Sequence, residues 1–151
     1  MRNIASLQEL KDLTGQEVAL SDWIDITQER VQRFADATGD HQWIHLDVER
    51  SRAESPYGGT VAHGFLTLSL LPMMMASAIT MSDVKMAVNY GLNKVRFPAP
   101  VPVGSRLRGR ICLLAVEDIA GGAQVTWQVT IEREGSDKPV CVAELIARRY
   151  S

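Results

Sequence analysis

Three histidines occur in this chain, and His45 lies five residues after a carboxylate, Asp40, in the turn-rich stretch Thr38-Gly39-Asp40-His41-Gln42-Trp43-Ile44-His45-Leu46-Asp47. A carboxylate and an imidazole that meet can hold a water and move its protons. About twenty residues later, Ala62-His63-Gly64-Phe65 opens a long apolar run. Glycine at a helix start lets a substrate approach the backbone closely, and the free N–H groups there can take a developing oxyanion. These are the parts needed to add or remove water beside a thioester carbonyl. That reaction needs a deprotonated water, a proton for the neighbouring carbon, and stabilisation of the charge on the thioester oxygen. Spacing alone leaves the point open. Residues five apart face different sides of a helix and opposite faces of a strand. Asp40 and His45 meet only if the chain turns sharply between them. Otherwise Asp40 caps a turn and His45 is a hydrogen-bonded, half-buried histidine.

The elements that must position these residues are readable on either side. Thr27 is placed to cap a helix over residues 28–38, with Val31, Phe34 and Ala35 at i, i+3 and i+4 and Gly39 as its stop. Residues 40–62 are irregular and punctuated by Ser55-Pro56-Tyr57-Gly58-Gly59, a loop of functional length. Asp47 is placed to cap a short helix within it. From Gly64 to about Ala78 the chain is apolar nearly all round, as in a buried or membrane helix. A span needs roughly 20 apolar residues. This run is shorter and interrupted by Thr67, Ser69 and Pro72, so burial is expected. Pro72 cannot donate to the carbonyl of Leu68, which predicts a kink or an early end.

After Asp83 the period changes to two. Met86, Val88, Tyr90 and Leu92 share one parity and Val95 and Phe97 the other, so a β-bulge is expected across residues 91–94. Leu107, Ile111 and Leu113 alternate with Arg106, Arg108 and Arg110. Val125, Trp127, Val129 and Ile131 alternate with polar residues, and residues 140–150 form a last strand. Gly121-Gly122 and residues 134–137 are the turns between them. Short connections imply antiparallel neighbours. The expected fold class is α+β, a single domain over residues 1–151 with an antiparallel sheet wrapped round a central apolar helix.

Composition narrows the function. Sixteen Lys+Arg against eighteen Asp+Glu leave no basic field for nucleic acid. Cys112 and Cys141 sit in apolar-alternating segments, where a reduced thiol is the default, and their spacing is neither a disulfide framework nor a zinc motif. The first eight residues lack an apolar signal core, so a cytoplasmic location is expected. Arg106, Arg108 and Arg110 read as a solvated sheet face. His41, His45, His63 and Asp47 form no closed ligand set, and no His-Glu-x-x-His occurs, so no metal is expected.

The paired motifs Gly39-Asp40…His45-Leu46-Asp47 and Ala62-His63-Gly64 resemble those of the MaoC-like, R-specific enoyl-CoA hydratases. The likeness is to the single-domain, NodN-like branch, and it extends through residues 89–101 to cover most of the chain from Asp22 onward. The resemblance implies a hot-dog fold. It makes Asp40 and His45 the catalytic pair, gives Gly64 an oxyanion N–H, and sets Ser69 beside the pair. Many members have Asn-Pro where this chain has Gln42-Trp43. His63 is expected to buttress the helix start, Asn89 to lie on the pocket wall, and Lys94 and Arg96 to meet the phosphates of coenzyme A. The expected activity is hydration of trans-2-enoyl-CoA to (R)-3-hydroxyacyl-CoA, reversible as a dehydration, with coenzyme A entering only as part of the substrate.

Two other readings stay open. A hot-dog acyl-CoA thioesterase would use an acidic residue on or near the central helix, and residues 64–81 contain none. A non-catalytic acyl-binding subunit could dispense with Asp40 and His45. A homodimer is expected, because a single such sheet leaves an edge unpaired. Residues 89–97 are the candidate for that edge or for a pocket wall. No membrane or nucleic-acid partner is expected.

Overall fold

The computed structural model describes residues 1–151. Its first elements, β1 (Arg2–Ile4), α1 (Leu7–Asp12), β2 (Glu17–Leu20) and β3 (Ile24–Asp25), are too short to show a periodicity in the sequence. The helix expected next is α2 (Gln28–Thr38). Thr27 caps it by accepting from Arg30 N, and Gly39 ends it in the left-handed region at φ 83°. That conformation costs a glycine nothing. The irregular stretch after it holds two short helices, α3 (Trp43–Leu46) and α4 (Val48–Glu54), and Asp47 caps the second.

The apolar run forms two helices, α5 (Gly64–Ser69) and α6 (Leu71–Ala78). The break falls at Leu70, so Pro72 stands in the first turn of α6, where no intrahelical N–H is required. Burial all round is corrected by the structure. Leu66, Leu70, Leu71, Met74 and Ala78 are buried, but Phe65 is 69 % and Met73 48 % exposed. The sheet covers one side of the helix, and these side chains lie where this chain supplies no cover.

From α6 the chain passes into β4 (Ile79–Met81), then β5 (Met86–Arg96), β6 (Arg106–Ile119), β7 (Gly122–Arg133) and β8 (Cys141–Tyr150). The main sheet runs β2-β6-β7-β8-β5, with β3 also on β6, and is antiparallel throughout. One pair departs from the antiparallel expectation. β1 and β4 form a separate two-stranded parallel ladder, with Arg2 opposite Ile79 and Ile4 opposite Met81. A parallel pair needs a long crossover, and residues 5–78 supply it.

Trp127, Val125, Val129 and Ile131 of β7 join Leu107, Ile111 and Leu113 of β6 in a core packed on Leu70, Leu71 and Met74. The helix lies close on the sheet at Gly109, where an added Cβ would lie 3.1 Å from the Met74 sulfur. On the outward face Arg110 pairs with Glu17, Arg108 with Glu132, and Arg106 with both Asp25 and Glu134. The arginine row is thus an ion-paired surface ladder, of modest value for stability. β5 stands at the sheet edge and carries two register shifts against β8, between Asn89 and Gly91 and between Leu92 and Val95. The expected single bulge is therefore two. No helix is long and apolar enough to cross a membrane.

Candidate active site

The sharp turn that the dyad requires is present. After Gly39 reverses the chain, Asp40 Oδ1 accepts from Gln42 N at 3.4 Å, and α3 follows at once. His45 sits near the end of that helix and is 7 % exposed. Its position is held from two sides. Gln28 of α2 donates to the His45 carbonyl at 2.7 Å, and Thr60 donates to the Gln28 carbonyl oxygen at 2.8 Å. The His45 ring donates from Nδ1 to the Val61 carbonyl at 2.7 Å. That bond selects the tautomer and leaves Nε2 with a free lone pair.

His63 binds the two halves of the site together. Its Nε2–H donates to the Asp40 carbonyl at 3.0 Å, and its ring stacks on His45 with centroids 3.8 Å apart. Phe34 of α2 also packs against the His63 ring, tilted, with centroids 4.9 Å apart. Burial pushes the His63 pKa down, outweighing the hydrogen bond to Asp40, so the imidazole is held neutral. Asp40, His45 and His63 each bring one ligand-type atom within 4.8 Å of the others. The set weighed as metal ligands does not gather as such. His41 pairs with Asp36, whose carboxyl it holds below the usual range, and Asp47 caps α4. Asp40 takes their place beside His45 and His63.

Beside this cluster opens a cavity of about 390 Å³ whose wall includes His45, Gly64, Thr67, Tyr57 and Phe97. Gly64 is the first residue of α5, and no side chain caps that helix. The first backbone N–H groups of a helix have no intrahelical partner. Phe97 lies directly over Gly64: an added Cβ would meet its ring at 3.3 Å. His45 and the start of α5 thus share one cavity wall, and the Asp40 carboxylate lies within 4.8 Å of a His45 ring nitrogen, the groups that acid–base chemistry beside a carbonyl needs.

The other sequence candidates lie elsewhere. Ser69 donates to the Phe65 carbonyl at 2.6 Å and lines a second cavity, of about 360 Å³, together with Asn89. Lys94 and Arg96 lie exposed on β5 and line neither cavity, and Arg96 donates to the Val95 carbonyl. Sequence reasoning missed the Val61 carbonyl, which any residue type can supply. It also missed Gln28, whose role depends on how α2 lies against α3.

A sheet curled round a central helix is the hot-dog arrangement, and here Asp40, His45 and His63 gather near the start of that helix. Comparison with known proteins gives the family. Residues 9–134 match the model described as the MaoC like domain. The chain is 57 % identical over 149 residues to 3-hydroxyacyl-thioester dehydratase Z of Mycobacterium tuberculosis, covering 98 % of each protein. It is 46 % identical over 143 residues to nodulation protein N of Rhizobium leguminosarum bv. viciae, covering 93 % of this chain and 89 % of that protein. Its fold superposes on the unliganded R-hydratase of Pseudomonas aeruginosa with TM-score 0.73 and 22 % identity, over 91 % of this chain and 82 % of that one. The chain belongs to the MaoC-like dehydratase family.

Proposed function

We propose that this protein is an (R)-specific enoyl-CoA hydratase, reversible as a 3-hydroxyacyl-CoA dehydratase. The observation that carries this reading is the gathering of Asp40 and His45, with ligand-type atoms within 4.8 Å of each other, beside a cavity that His45 lines together with Gly64 at the start of α5. The name of the 57 % identical relative supports a 3-hydroxyacyl thioester as the substrate class.

The dyad holds one water at C3 of the enoyl chain. It takes a proton from that water as hydroxide adds to C3, and electron density moves through C2 to the thioester oxygen. Backbone N–H at Gly64 receives that charge. The dyad then returns the proton to C2, and the atoms of one water are accounted for. Because hydroxide and proton come from the same side chains, addition is syn. The fixed oxyanion donor presents one face of the double bond, and (R)-3-hydroxyacyl-CoA is the expected product. Coenzyme A enters as part of the substrate, and the reaction calls for no other cofactor.

The working unit in this proposal is a homodimer in the cytoplasm, where the free thiols of Cys112 and Cys141 persist. β5 leaves one edge unpaired and exposes Met86, Val88, Tyr90 and Leu92, while Phe65 and Met73 lie bare on the helix side. A second copy would cover such surface. Hydration of trans-2-butenoyl-CoA in deuterated water, followed at the conjugated-thioester absorbance and by chiral analysis, tests the activity. An S product, or deuterium anti to the new hydroxyl, would refute the geometry. A stable, active monomer in sedimentation equilibrium would refute the dimer.

A further inference from the structure

Helix α3, which carries His45, is only four residues long and has no side-chain cap at its start. One turn of helix is not stable by itself, and the carbonyls at its end have no partners within it. Two other segments supply them. Val61 N donates to the Ile44 carbonyl at 3.1 Å, and the Gln28 side chain donates to the His45 carbonyl at 2.7 Å. Thr60 in turn donates to Gln28 Oε1, and the Val61 carbonyl accepts from the His45 ring. These bonds close into a ring. It runs from the His45 carbonyl through the Gln28 amide and the Thr60 hydroxyl to the backbone at Val61, and returns through the imidazole.

One side of the ring is anchored. Val103 N donates to the Thr60 carbonyl at 3.0 Å, and Ala62 N donates to the Val101 carbonyl at 2.8 Å, so residues 60–62 are tied to the stretch that leads into β6. The other side is α2. Gln28 is its first residue, and the same helix stops at Gly39, directly before Asp40. One helix thus delivers Asp40 from its end and grips His45 from its start. The chemistry of the ring also explains the residue type at position 28. The His45 carbonyl can only accept, while the Thr60 hydroxyl donates, so the side chain between them must do both. A primary amide does; a carboxylate, an ammonium or a hydrocarbon does not.

We propose that Gln28 and Thr60, neither of which lines the dyad cavity, are positioning residues for catalysis: they hold the His45 ring and the Val61 carbonyl in register, so that Nδ1 keeps its proton and Nε2 its lone pair. The inference rests on the dyad reading of His45 and adds the residues through which that histidine is held ready. Val61 N still tethers Ile44 when Gln28 is lost, so His45 loosens without being released. A misplacement of about 1 Å can cost about 10²-fold in rate, and a fall of about 10–10²-fold in kcat is expected.

The test uses changes of similar shape. Gln28→Met loses both bonds, Gln28→Glu keeps only the acceptor, Thr60→Val loses the hydroxyl, and Thr60→Ser keeps it. In steady-state hydration of trans-2-butenoyl-CoA, the first three should lower kcat by about 10–10²-fold with KM nearly unchanged, because His45 moves protons and does not hold the thioester. Thr60→Ser should recover most of that loss. Gln28→Met combined with Thr60→Val should lose no more than the worse of the two, since both cut one chain of bonds. The imidazole ¹⁵N spectrum at pH 8, with His45 assigned from His45→Gln, reads the tautomer without substrate. Wild type should show His45 protonated on Nδ1 alone, and the first three variants a mixture. Full kcat in folded Gln28→Met and Thr60→Val would overturn the proposal. So would a loss of kcat that follows melting temperature while His45 keeps one tautomer. A wild-type His45 protonated on Nε2 would overturn it with no variant needed. If His45 depends on Gln28 and Thr60 for its tautomer but no enoyl thioester is hydrated, the positioning role stands and the hydratase reading falls. Hydration that neither change disturbs does the reverse.

Discussion

Gly64→Ala should separate stability from catalysis. Gly64 begins α5 with no side-chain cap. It is not among the positive-φ glycines, so alanine fits its backbone. The added methyl would meet three atoms of the Phe97 ring at 3.3–3.4 Å, a few tenths of an ångström inside comfortable carbon contact of about 3.5–4.0 Å. Phe97 is partly exposed and makes an edge contact with Phe65 at 6.2 Å, so the ring can give. Against that small strain stands the helix preference for alanine over glycine, at most about 1 kcal/mol. The melting temperature should therefore move by no more than roughly 2–4 °C in either direction. Catalysis is another matter. An oxyanion must come within about 2.7–3.1 Å of its donors, and losing one donor typically costs about 10²–10³ in kcat. A methyl group and a displaced ring at that spot obstruct the approach, so kcat should fall by about that factor. Thermal melts by circular dichroism and steady-state hydration, with kcat and KM resolved, make the comparison. Full kcat in a folded Gly64→Ala would refute the oxyanion role of the α5 start. A collapse in stability would refute the packing argument.

Asp40→Asn and His45→Gln, both nearly isosteric, should each cost about 10²–10⁴ in kcat, and the double variant should lose far less than the product of the two because one water is shared; independent, multiplicative losses would count against a dyad. His63 is held neutral by burial, so only the unfolded chain gains its proton as pH falls below the ordinary histidine value of about 6.5. Stability contributed by His63 is thus full above that pH and declines below it, and His63→Gln should flatten the acid limb of melting temperature against pH; an unchanged limb would remove His63 as its cause. Burial pushes Cys141 up to about 11, so it should resist maleimide at pH 8 in the native protein and react on unfolding; rapid native labelling at Cys141 would contradict its burial. Dialysis against a chelator should leave hydration unchanged although Asp40, His45 and His63 lie within ligand distance of one another, and a loss restored by added zinc would assign the cluster to a metal instead.

What the sequence showed and what it hid divide along physical lines. Helix α2 was legible to the residue because its signals are local: a threonine that caps, an apolar face at helical spacing, and a glycine whose φ of 83° few other residues tolerate. The long strands β5 to β8 were legible for the same reason, since each carries its own alternation. β1 and β4, three residues each, show no period of their own. They exist because the chain brings distant segments together, as does the second bulge in β5, which only the partner strand defines. The site follows the same division. Residue types at positions 40, 45 and 64 named the chemistry, but spacing could not say whether Asp40 and His45 meet. What decides it is the Val61 carbonyl, Gln28 and the stacked His63, contacts between segments 16 to 23 residues apart. Arg149 is the sharpest case. In sequence it is one of two arginines closing a strand, and its parity alone marks it as facing inward. Only in the fold, across the pairing of β7 with β8, does its guanidinium carbon come to lie 5.8 Å from the centre of the buried Trp127 ring, a contact that no local pattern announces.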